Sequence, residues 1–141
     1  MIILDTNVIS ELMRARPDQR VLDWLALQPI AGLFTTVLTQ AEIFYGLALL
    51  PHGKRQEKLA SAANAMFDAD FAGRILPFDS DAARNYPDIA AGRRLIGQPI
   101  SQIDGQIAAI TASRGARLAT RNVRDFADCG IVVVDPWSER Q

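Results

Sequence analysis

Short, mainly apolar runs alternate along this chain with longer stretches of helical periodicity. Ile2, Ile3 and Leu4 form the first run and are followed by an acid, Asp5. Consecutive apolar residues without polar alternation predict a strand buried on both faces. Residues 8–13 predict a helix, and Asp18 is placed to cap a second one carrying Val21, Leu22 and Leu25 on its apolar side. Residues 32–36 predict a second strand, and 41–50 a helix that stops before Pro51 and Gly53. The Ala-rich amphipathic stretch 54–71 predicts another helix.

Residues 74–77 predict the third strand, with Asp79 or Ser80 capping the helix after it. Pro87 falls inside that helix, and because an interior proline costs about 3 kcal/mol, a break or bend is expected near Tyr86. Ser101 caps a periodic helix running through Ser113, with Gly115 as its left-handed terminator. Residues 117–120 and 131–134 predict the last two strands, and Pro136-Trp137 follows. Strands of this kind alternating with helices predict an α/β fold, a parallel sheet with helices on both faces. No linker, repeat or low-complexity segment divides the chain, so one domain over residues 1–141 is expected.

Composition narrows the chemistry. Cys129 and His52 are the sole residues of their types, which excludes an internal disulfide, a cysteine-based zinc site and any chemistry needing several histidines. An acid directly after so short an apolar run does not make a signal peptide. The most apolar region, 33–50, is interrupted by Thr35, Thr36, Thr39, Gln40 and Glu42, too polar for a membrane span. The expected location is the cytoplasm. A net charge of −1 counts against a passive nucleic-acid binder, though not against a nuclease that holds phosphate through metal ions.

Three acids fall at corresponding places. Asp5 follows the first strand, where ligands of an open parallel sheet bind; it also suits a cap for the helix starting near Thr6. Glu42 in Thr39-Gln40-Ala41-Glu42 and Asp104 in Ser101-Gln102-Ile103-Asp104 both read as an acid three residues after a hydroxyl cap. Singly, each reads as a cap. Together, all three converge on one edge of a parallel sheet, and carboxylates gathered without a basic partner raise one another's pKa. A divalent cation relieves that conflict, and an all-oxygen site suits Mg2+ or Mn2+. The stretch 120–126 should reach the same edge, with Asn122 as a ligand or water-positioning amide, Thr120 orienting a neighbour and Asp125 as a further acid, or else as a plain solvated turn. A phosphatase signature would need a second acid where Asn7 stands, and no Gly-rich phosphate loop or dinucleotide fingerprint is present.

LDTNVISEL at 4–12, TQAEIFYG at 39–46, ISQIDGQIAAIT at 100–111 and ATRNVRDF at 119–126 resemble, in order, the motifs of PIN-domain toxins. AGRILPFD at 72–79 and VDPW at 134–137 extend the resemblance over nearly the whole chain, nearest to the FitB/VapC branch. The resemblance implies a PIN-like α/β/α sandwich around a central parallel sheet and an Mg2+- or Mn2+-dependent endoribonuclease. It implies neutralisation by a small cognate antitoxin, contact with operator DNA through that antitoxin, and a homodimer. The family's metal-binding acids carry over to Asp5, Glu42 and Asp104, and its fourth acidic position falls on Asn122.

The expected mechanism is RNA hydrolysis with the ion held mainly by Asp5 and Asp104 and completed by Glu42. Thr6 and Asn7 shape the loop, Thr120 and Asn122 support water and substrate, and Arg14, Arg16, Arg93 and Arg94 are candidate RNA contacts. The rival is a weakly active or inactive interaction subunit of an antitoxin–DNA complex, which Asn122 keeps open. A DNase or phosphatase using the same acids is a third reading.

Overall fold

The alternation of side chains along Ile2, Ile3 and Leu4 sends Ile2 and Leu4 to one face of a sheet and Ile3 to the other, and each face is covered by helices. The computed structural model describes residues 1–138; the last three residues of the expected span lie outside it. In chain order the elements are β1 (Ile2–Leu4), α1 (Thr6–Leu12), α2 (Gln19–Ala26), β2 (Leu33–Thr36), α3 (Val37–Ala48), α4 (Lys54–Ala65), β3 (Ile75–Leu76), α5 (Ser80–Leu95), α6 (Gln102–Ser113), β4 (Arg117–Ala119) and β5 (Val132–Val134). All strand pairs are parallel, in the order β3-β2-β1-β4-β5. The first strand is therefore central, and the chain reverses its direction of travel across the sheet at β1.

Ile2, Leu4, Val8, Ile9, Val21, Trp24, Ile43 and Phe67 fill the core on the α1–α4 face. Ile3, Leu118, Ala82, Ile89 and the run Ile107–Ile110 fill the α5–α6 face. This is the α/β/α sandwich expected. Among the described residues no helix is long and apolar enough to cross a membrane.

Three local expectations are corrected. The helix expected at 41–50 begins at Val37, because Thr36 at the end of β2 caps it directly: its hydroxyl accepts from the Thr39 N–H at 3.2 Å. Strand passes into helix with no loop between, a junction that apolar Val37 and Leu38 disguise. The helix expected over 54–71 is regular only to Ala65; a wider turn follows, in which the Phe71 N–H reaches the Met66 carbonyl at 2.9 Å, and both Phe67 and Phe71 are buried.

The break expected near Tyr86 does not occur. α5 runs unbroken through Pro87, from its Asp79 cap to Leu95. Pro87 and Ala83, whose carbonyl loses its partner, both lie on the exposed side, where water can serve that carbonyl. Ala82 and Ile89 on the opposite side are buried in the core shared with α6, on either side of Pro87. By contrast the cap at Ser101 and the terminator at Gly115, with φ of +59°, fall where expected.

Candidate active site

Asp5 leaves β1 and caps α1, and three donors converge on its carboxylate. Oδ1 accepts from the Thr6 N–H at 2.8 Å. Oδ2 accepts from the Thr120 hydroxyl at 2.8 Å and from Asn7 Nδ2 at 3.3 Å. Thr120 follows β4, which pairs with β1 in parallel; the Asp5 N–H itself donates to the Ala119 carbonyl at 3.0 Å. The central position of β1 is what makes these distant stretches neighbours. Asp5 is only 4% exposed, and burial is the main reason its carboxyl is pushed from an ordinary 3.8 up to about 6. The Thr120 hydroxyl and the Thr6 N–H oppose that rise, while the charges of Asp104 and Glu42 add to it.

Glu42 arrives from α3. With Thr36 as the cap, Glu42 lies in the second turn, so the expected pairing of Thr39 as cap with Glu42 three residues on is overturned. Its partner comes instead from α1: Thr6 Oγ1 donates to Glu42 Oε1 at 2.7 Å. That uses the one hydroxyl hydrogen of Thr6, so the buried Thr39 hydroxyl, 3.0 Å away, donates to Thr6 in turn. Asp104 arrives from the first turn of α6, where the Ser101 hydroxyl accepts from its N–H at 3.2 Å. Its carboxyl too is raised, first by burial, and further by the charges of Asp125 and Glu42.

Asp5, Glu42 and Asp104 line one cavity of about 520 Å³, together with Thr6, Asn7 and Asn122. Among the described residues none of the three acids is in an ion pair; those found join Arg14 to Glu11, Arg20 to Asp18 and Arg114 to Asp79. Asn7 links the two loops, with Nδ2 on Thr120 Oγ1 at 3.0 Å and Oδ1 accepting from the Arg121 N–H at 3.1 Å. The Asn122 N–H donates to Thr120 Oγ1 at 3.1 Å. Asp125 is exposed and does not line the cavity; it acts on Asp104 through its charge.

The donor set is all oxygen, carries excess negative charge and fits Mg2+ or Mn2+. Among the described residues no three acidic, histidine or cysteine side chains close on one point.

Arg93, expected as an RNA contact, is buried. Its guanidinium donates to the carbonyls of Gln98, Asp125 and Ala127 at 2.7, 2.8 and 2.9 Å and approaches Cys129 Sγ at 3.7 Å. It braces the loop that follows Asn122. Arg14, Arg16 and Arg94 are exposed. The residue reading missed Glu11, a buried acid on the cavity wall whose Oε2 accepts from the Asp18 N–H at 2.9 Å. Its spacing of four residues from Asn7 along α1, and of three from Arg14 just past that helix, is the signal that points to it.

A model of the PIN domain matches residues 2–131. This chain belongs to the PIN-domain family. The PIN domain is similar to the VapC ribonuclease Y4jK of Sinorhizobium fredii, 42% identical over 137 residues that cover 97% of this chain and 98% of that one. It is also similar to the toxin FitB of Neisseria gonorrhoeae, 37% identical over 139 residues, 99% of this chain and 100% of the other. The solved structure of FitAB bound to an IR36 DNA fragment contains a chain that matches with a TM-score of 0.93 at 37% identity, covering 100% and 99% of the two chains. These relatives place the PIN domain in the FitB/VapC branch that its four motifs resemble.

Proposed function

We propose that this PIN domain is the ribonuclease toxin of a toxin–antitoxin pair and hydrolyses RNA phosphodiester bonds with Mg2+ or Mn2+. One observation carries the chemistry: three carboxylates, none paired with a cation among the described residues, line a single cavity at the carboxyl edge of the sheet. The name of the Sinorhizobium relative, a ribonuclease, supports the reaction class.

A divalent ion, when bound, activates water and neutralises charge on the phosphodiester. Asp5 and Asp104 are its main holders, with Glu42 completing the set. Thr120 and the Thr6 N–H fix the two oxygens of Asp5, and the Thr6 side chain fixes Glu42, so these two acids are oriented before substrate arrives. Asn7 keeps the Arg121 backbone against this cluster, and Asn122 presents an amide to the substrate side.

A cognate small antitoxin, operator DNA reached only through it, a homodimer and a cytoplasmic location complete the reading. The FitAB–DNA structure supports the first two. The exposed apolar side chains of Tyr45 on α3, at 68%, and of Leu49 at its C-cap, at 67%, support the third; α4 exposes mainly charged and small residues. A monomeric mass by light scattering at high micromolar concentration excludes the dimer.

The deciding experiment incubates the purified protein with RNA, DNA and a phosphate monoester, each with Mg2+, Mn2+ or chelator. Cleavage of RNA that depends on metal is expected. Selective cleavage of DNA or the monoester reassigns the substrate. No cleavage of anything under any condition favours the inactive interaction subunit.

A further inference from the structure

Two arginines line the acid cavity, and they are not equivalent. The Arg14 guanidinium, just past the end of α1, sits 3.3 Å from Glu11 Oε1 of that helix, so its charge is already partnered. Arg121 has no carboxylate partner among the described residues, and Asp18, whose carboxylate feels its charge, is held by Arg20 at 2.8 Å. Instead, the Arg121 guanidinium carbon lies 5.0 Å from the ring centroid of Trp137, within cation–π range. Trp137 is itself buried, with its backbone N–H on Asp135 Oδ1 at 2.9 Å, so the support is held in place. At the other end, the Arg121 N–H is held by Asn7, the side chain that also reaches Asp5 and Thr120.

We infer that Arg121, braced on Trp137 beside the acid cavity, binds a phosphate of the RNA strand flanking the scissile bond. The inference rests on the ribonuclease reading above. A cavity walled by carboxylates repels an RNA backbone, and a cation on its wall offsets that repulsion locally. A guanidinium presents a planar fork of N–H donors that matches phosphate oxygens. Contact with the indole and a tethered backbone reduce the side-chain freedom that binding would otherwise remove.

The test measures binding of single-stranded RNA oligonucleotides of unrelated sequence across a salt series, with chelator present and in an Asp5→Asn background so that strands stay intact. Arg121→Gln is expected to weaken binding to all sequences alike and to flatten the slope of log K against log salt by about 0.7, the value for one phosphate contact on a single strand. Arg121→Lys should keep most of the slope while binding less tightly. Melting curves confirm that each variant is folded.

An unchanged slope and affinity in a folded Arg121→Gln protein overturns the inference. A loss confined to particular bases with the slope intact also overturns it, in favour of base stacking. Failure of the ribonuclease reading is seen separately, as absence of RNA cleavage by the unaltered protein with metal.

Discussion

The hydroxyl of Thr120 donates to Asp5 Oδ2 at 2.8 Å across 115 positions of chain. Thr120 Oγ1 in turn accepts from Asn7 Nδ2 and from the Asn122 N–H, so its hydrogen-bonding capacity is full. Of the influences holding the Asp5 carboxyl down, this bond is the largest. Thr120→Val keeps the shape and removes it. The Asp5 carboxyl should then rise above about 6, and stability should fall by about 1–3 kcal/mol, the cost of leaving a buried polar group unserved. Melting temperatures with and without Mn2+ across a pH series check this. A metal response that titrates at the same pH as before shows that Thr120 does not govern Asp5.

Because the Asp5 carboxyl is raised in the folded state, its stabilising contribution is full below pH 3.8 and lost as pH climbs to about 6. A rise of that size corresponds to about 3 kcal/mol. In chelator, unfolding free energy should therefore carry a fall between those limits from this group, and Asp5→Asn should lack it. Denaturant titrations at several pH values decide.

Metal has the opposite dependence, because its carboxylate ligands must be ionised. The increase in melting temperature with Mg2+ or Mn2+ should be full above about pH 6 and fade below it. Asp5→Asn and Asp104→Asn should lose most of that increase by mass action, abolish RNA cleavage and melt near or above the unaltered protein in chelator. Lower melting points with undiminished metal response and normal cleavage would mean that these acids are helix caps and nothing more.

Asn122 lines the cavity without a negative charge. Asn122→Asp adds a fourth carboxylate, which should lower the melting temperature in chelator through repulsion and strengthen Mn2+ binding by calorimetry. Unaltered Mn2+ affinity would place that side chain outside the metal's reach.

Arg93→Met should behave as a loss of structure. It strips the guanidinium from three carbonyls, and bonds to a charged group are worth about 1.5–3 kcal/mol each before any relaxation. The urea midpoint should drop sharply while the salt slope of RNA binding by the folded fraction stays constant. A flattened slope would return Arg93 to the RNA contacts.

The features legible in the chain were those whose causes are local. Asp18, Asp79 and Ser101 cap their helices because each side chain accepts from an N–H two or three residues on. Gly115 ends α6 because that position has a positive φ. The apolar run Ile2–Leu4 marked β1 because a parallel strand covered on both faces has no polar side to show. Asp5 and Asp104 were visible as acids at the start of helices, with residues of the right chemistry and spacing.

Tertiary structure decided the rest, through contacts between residues far apart in sequence. Pairing of β1 with both β2 and β4 carries Thr120 to Asp5 and, with α3 packed against α1, Thr6 to Glu42. Burial of α5 against α6 keeps that helix continuous past Pro87, overriding a local cost of about 3 kcal/mol. Arg93 reads as a surface charge in the chain and becomes a buried brace only because the loop after Asn122 folds its carbonyls around it. Asp5 changes likewise, from an acid that caps a helix to one whose carboxyl ionises near pH 6. Its residue type and its cap are local, but its burial and its hydroxyl partner belong to the sheet.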